Sequence, residues 1–221
     1  MAATLAQLRT RAQRLADMEN SQFVANAEWL DYINEGLSEL YDIVIGKNDD
    51  WFVTTQSIAL VAGTAAYAVN AAFYKERGVD LVSGSTSYTL RPFMFRERNA
   101  AQGLAGALLE EPYQYQIVGA NIRFIPTPAA AGTATLWYIP QITQLSADGD
   151  TVSTTLPLGW ERYIVLYAAL RALQKEESDA SALMTELAAT QRKIEKAASG
   201  RSAGDPKRVV DVRNTRGGWG W

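Results

Sequence analysis

The sequence predicts an α+β protein: a four-helix bundle with an inserted antiparallel β-sandwich or barrel-like domain, followed by an extended C-terminal arm. Three observations predict it. Apolar residues recur at helical spacing near both ends of the 221-residue chain. Between them lies a long block rich in Thr, Val, Tyr and Phe, broken every few residues by Gly, Pro or Asn. From Gly200 onward no period is left. The implied boundaries are a discontinuous helical domain over 1–47 and 157–199, a β domain over 48–156, and an arm over 200–221.

The first helix is read from Leu5, Leu8, Ala12 and Leu15, with Arg9, Arg11 and Arg14 on its other faces. Asn20 and Ser21 interrupt the pattern as stop and cap candidates. A second helix follows, with Trp29, Ile33, Leu37, Leu40 and Val44 as its stripe and Gly46 as its stop. Gly36 inside it implies close packing against a neighbour, because glycine otherwise weakens a helix.

After Asn48-Asp49-Asp50 the character changes. "WFVTTQSIAL", "AAYAV", "GVDLVSG", "TSYTLRPF", "YQYQIVG", "ANIRFIP" and "ATLWYIP" each read as a strand. Hairpins are expected in "VSGSTSYTL" and "IVGANIRF". The stretch "ERNAAQGLAGALLEE" reads as a short helix or loop between strands. Helical period returns with Trp160, Tyr163, Ile164, Tyr167, Leu170 and Leu173, so nearly apolar all round that several neighbours must bury it. Pro157 suits its first turn. The last helix carries Leu183, Leu187 and Ile194, with Ser178, Asp179 and Ser181 as capping candidates.

Composition narrows the function. The formal charge of −3 is wrong for a dedicated nucleic-acid binder. The chain contains neither cysteine nor histidine, which removes disulfides, thiolates, the commonest general base and the commonest metal ligand together. No secretory h-region and no membrane-length apolar run is present, so a soluble protein is expected.

The acid pairs Asp49-Asp50, Glu110-Glu111, Glu176-Glu177 and Asp148-Gly149-Asp150 fall at element ends, where solvated carboxylates are ordinary. Asp148 and Asp150 lack the further ligands of a calcium loop. No phosphate-cradling glycine motif occurs, and no serine has a lysine at the spacing that would activate it. Tyr113, Tyr115, Phe124, Trp137 and Tyr138 suit either a sandwich core or a sugar-binding face, and strand alternation favours the core. No enzyme, metal or cofactor is expected.

The arm is different. Arg201, Lys207, Arg208, Arg213 and Arg216 stand against Asp205 and Asp211 alone, ahead of "RGGWGW" with Trp219 and Trp221. Arginine and tryptophan dominate binding hot spots, while a solubilising tail gains nothing from tryptophan. These seven basic and aromatic residues are therefore read as a docking segment that orders on a protein partner.

"AEWLDYINEGLSELYD", "WFVTTQSIALVAGTAAYAV", "GANIRFIPTP" and "GWERYIVLYAALRALQKEESD" together resemble the head-to-tail adaptor (connector) proteins of tailed bacteriophages, especially podophage tail accessory factors. That resemblance implies a structural virion protein, usually a dodecameric ring beneath the portal that joins head to tail and extends the DNA channel. It further implies assembly in the host cytoplasm, contacts with portal and tail nozzle or fibre proteins, and a C-terminal arm that reaches the portal. The alternative from another class is a carbohydrate- or receptor-binding β module of a phage tail. A tail-associated glycosidase would require a strand-end acid pair, which is not found.

Overall fold

A computed structural model of the chain describes residues 2–83, 86–94, 96, 114–152 and 156–201. Helix α1 spans Leu5–Leu15. Thr4 starts it with a reciprocal cap: its hydroxyl accepts from the Gln7 N–H, and the Gln7 side chain accepts from the Thr4 N–H. The next free amides, of Leu5 and Ala6, donate to the carbonyls of Asp150 and Asp148 at 2.8 and 3.2 Å. A turn far along the chain thus seats the first helix.

Helix α2 spans Asn26–Lys47 and buries the expected stripe, together with Asn34, Gly36, Tyr41 and Ile45. Neither Asn20 nor Ser21 caps it. The N-cap is Ala25, whose N–H donates to the Glu28 carboxylate at 2.8 Å. Glu28 also pairs with Lys175 at 2.6 Å, so a tertiary contact sets the helix start where propensity alone pointed to Asn and Ser. The helix runs one residue past Gly46 and ends at Asn48. Close packing at Gly36 is borne out, since a Cβ there would lie 3.1 Å from the Tyr167 side chain.

Helix α3 spans Glu161–Lys175 and is buried nearly all round, because α1, α2 and the last helix all pack on it. Pro157 lies before it, in a turn whose carbonyl accepts from the Trp160 N–H. The last helix, α4, spans Ser181–Ser199; only Ile194 and Ala198 are fully buried, with Leu183 and Leu187 partly so. Its N-cap is Ala180, without a side-chain cap, and the Asp179 carboxylate just before it accepts from the Ser181 N–H at 2.9 Å. Among the described residues the packing gathers three helices, α1, α2 and α4, on α3, which is less than a regular four-helix bundle.

Among the described residues eight strands form two four-stranded sheets: β1 (Thr54–Leu60), β2 (Ala66–Ala68), β3 (Phe73–Ser83), β4 (Thr86–Thr89), β5 (Arg91–Pro92), β6 (Gln114–Val118), β7 (Asn121–Ile125) and β8 (Gly132–Pro140). Their orders are β1-β8-β3-β4 and β2-β7-β6-β5. Ile58, Leu60, Val79, Leu81 and Leu136 of the first sheet share one core with Tyr115, Ile122 and Phe124 of the second. The arrangement is a sandwich of open sheets, not a barrel. It is also not wholly antiparallel, because β5 pairs with β6 in parallel.

Both expected hairpins form. β3 meets β4 at Ser83 and Thr86, while β6 and β7 turn through Gly119, whose φ of +58° suits glycine. β3 begins five residues before the predicted "GVDLVSG", at Phe73, with register shifts near Lys75 and Gly78. Those irregularities hide its alternation from a reading of the sequence. The stretch "ERNAAQGLAGALLEE" lies outside the described residues.

A third, smaller cluster of Tyr41, Ile45 and Ile139 joins the helices to the sandwich. Tyr41 stacks on Phe52 with ring centroids 4.4 Å apart, and its hydroxyl donates to the Pro140 carbonyl.

Candidate functional site

The segment read from the sequence as an arm follows the end of α4, and its described residues are Gly200 and Arg201. The Arg201 guanidinium lies 4.1 Å from the centre of the Trp51 ring and donates to the Trp51 carbonyl at 3.4 Å. Trp51 in turn sits 5.3 Å from Trp160, in the turn before α3. Two further contacts fix the same corner. Asn48 donates its amide to the Ala198 carbonyl at 3.3 Å, and Lys47 pairs with Glu195 at 3.2 Å. Hydrogen bonds from Gln191 and then Lys47 hold the Glu195 carboxyl below its ordinary range. Arg201 thus sits on a root built by the end of α2, the start of the β block and the turn before α3. Lys207, Arg208, Arg213, Arg216, Trp219 and Trp221 lie outside the described residues.

The sequence puts Trp51 in a strand segment and Trp160 on a helical stripe, and nothing local predicted that their rings would meet. Their proximity depends on a chain reversal through the whole β block. The cluster Asn48-Asp49-Asp50-Trp51 did carry a signal, being a short run of capping, charged and aromatic residues between elements.

The acidic pairs fall where their chemistry is structural. Asp49 accepts from Lys75 at 3.2 Å and from Arg77 at 2.7 Å, and Asp50 from Arg77 at 2.7 Å, which straps the end of α2 to β3. Asp150 accepts from the amides of Ala147 and Ser146 and from the Ser146 hydroxyl. Those bonds, from Ala147 foremost, hold its carboxyl below the ordinary aspartate range. Asp148 pairs with Arg9 at 3.0 Å. Glu176 accepts from the Ser178 hydroxyl, whereas Glu110 and Glu111 lie outside the described residues. Among the described residues no group of three or more carboxylates is gathered to hold a metal ion.

Of the aromatic residues on the sandwich, Tyr115, Phe124 and Tyr138 are buried in its core. Trp137 is 41% exposed, and its indole N–H donates to Asp80 at 2.7 Å. Tyr113 lies outside the described residues.

Residues 3–211 match the family model of the SU10 adaptor protein. The chain belongs to the SU10 adaptor family. The matched span takes in every described helix and strand and continues ten residues past the root at Arg201. A search of the curated proteins finds no match. The family agrees with the head-to-tail adaptor resemblance carried by "GANIRFIPTP" and "GWERYIVLYAALRALQKEESD", and a phage adaptor is a structural component of the virion. No described helix of this adaptor is long and apolar enough to cross a membrane.

Proposed function

We propose that this adaptor forms a closed dodecameric ring beneath the portal of a filled phage head, joining head to tail and extending the DNA channel during genome ejection. The observation that carries the reading is the family match over nearly the whole chain. The ring assembles in the host cytoplasm on the portal and presents its other side to tail nozzle or fibre proteins. It performs no catalysis and takes no cofactor. Its working parts are a helical domain of 1–47 and 157–199, a β domain of 48–156, and the arm of 200–221.

Charge supports a channel role, because a net acidic protein lets phosphate slide past without binding. The clamped root at Trp51 supports the arm as a docking element, with Arg201, Lys207, Arg208, Arg213, Arg216, Trp219 and Trp221 engaging the portal or a neighbouring adaptor. Fixing where the arm leaves the body reduces the entropy lost when it docks.

Electron microscopy and native mass spectrometry of the full chain, alone and with portal complexes, test this. Twelve-fold rings on the portal are the expected result. A monomer that binds glycans, with the affinity lost on Trp137→Ala, would overturn it in favour of a tail binding module.

A further inference from the structure

We propose that the helical region carries both halves of a heterologous contact between copies: the groove between α1 and the start of α3 receives the acidic face of α2 from the next copy. This rests on the ring reading and names the surfaces that would build it.

The groove has a volume of about 570 Å³ and is lined by Leu15 and Val165 together with Arg11, Arg14 and Arg162. Glu161 also lines it, but its carboxylate accepts from the Gly159 N–H at 2.6 Å and is held to the turn. Leu158, beside Gly159, is 71% exposed, more than any other large apolar side chain described. Arg11 has no ion-pair partner among the described residues. Arg14 and Arg162 pair with Glu19 and Glu186 across exposed surface, where ion pairs are weak and exchange readily. Helix α1 carries three arginines and no acid.

The complementary surface is on α2. Asp31, Glu35, Glu39 and Asp42 recur every three or four residues along its exposed side, and Lys47 is its only basic residue. Among the described residues Asp31 and Glu39 have no ion-pair partner.

Helix α3 shows that one molecule cannot bring the two surfaces together. Arg162 reaches Glu186 on α4 and borders the groove, whereas Arg171 reaches Glu35 on α2. Nine residues are about two and a half helical turns, so these arginines project from opposite sides of α3. The basic groove and the acidic face point away from each other. Two complementary patches on different sides are what a head-to-tail contact needs, and repetition of that contact closes into a ring. Opposite charge sets register and speeds encounter, while Leu158 supplies apolar area to bury.

The test uses two full-length variants, Arg11→Glu with Leu158→Glu, and Asp31→Lys with Glu39→Lys. All four positions are exposed and outside any described ion pair, so both chains should keep the wild-type melting temperature. Assembly on portals is followed by sedimentation velocity and microscopy. Each variant alone should need about tenfold more protein to assemble, and an equimolar mixture should regain wild-type assembly, since every groove then meets a face of opposite charge. Unimpaired single variants, or a mixture that stays impaired, would overturn the contact and leave the adaptor reading standing. If the wild-type chain itself forms no ring with portals, the adaptor reading falls and this contact with it.

Discussion

Among the described residues Asn34 is the only buried polar side chain, and it substitutes for a strand partner. Its amide donates to the Leu145 carbonyl at 3.0 Å, and its oxygen accepts from the Leu145 N–H at 2.9 Å. Asn34→Leu therefore leaves two buried backbone groups unpaired and should cost about 2–4 kcal/mol in urea unfolding. Asn34→Asp should also destabilise, because a carboxylate would then face a carbonyl oxygen. Nothing in the sequence marked Asn34, which lies beside Ile33 and reads as a polar residue at the edge of the stripe. Glu76 carries a pH effect of opposite character. Burial raises its carboxyl above the ordinary glutamate value, so the native chain holds that proton to higher pH than the unfolded chain. Its favourable contribution is complete below the unfolded value and is lost as pH rises through the folded one. Glu76→Gln should raise the melting temperature at about pH 7, and the gain should vanish by about pH 4.

At the scale of elements, the arm and its root make separable predictions. Deleting 217–221 should leave the melting temperature unchanged while weakening attachment to the portal, measured by co-sedimentation. An equally tight truncated chain would remove Trp219 and Trp221 from the docking role. Trp51→Ala takes the platform from under Arg201 and the ring partner from Trp160. It should destabilise the folded chain by about 2–4 kcal/mol, somewhat less than the loss of a core aromatic because Trp51 is only partly buried. It should also weaken portal attachment, because a loosened root makes docking cost more entropy. The helices were legible at this scale because their stripes repeat in the sequence. The first five residues of β3 were not, because its bulges break the alternation on which strand recognition depends.

In the whole molecule, the helical and β cores meet through the small cluster around Tyr41. Burial pushes its hydroxyl up to about 12, so it stays a neutral donor to Pro140 throughout the physiological range. Tyr41→Ala should cost about 3–5 kcal/mol and uncouple the two cores. Helix circular dichroism and near-ultraviolet aromatic signals, coincident in the wild type, should then report separate transitions. Coincident curves in the variant would mean that the Asp49 and Asp50 strap to Lys75 and Arg77 couples the cores without Tyr41.

By itself the sequence determined the α+β order, the helical stripes, both hairpins, the absence of histidine and cysteine chemistry, and a basic, tryptophan-bearing stretch after residue 200. These are local properties: a helix or strand repeats its backbone hydrogen bonds every few residues, and side-chain pattern follows that repeat. Only the tertiary structure decided that β8, last in sequence, lies between β1 and β3, and that Trp51 meets both Trp160 and Arg201. It also decided that Arg162 of α3 reaches Glu186 on α4 while Arg171 reaches Glu35 on α2. Such choices join residues far apart in the chain, where many partners suit the local pattern and only packing all the elements together selects one.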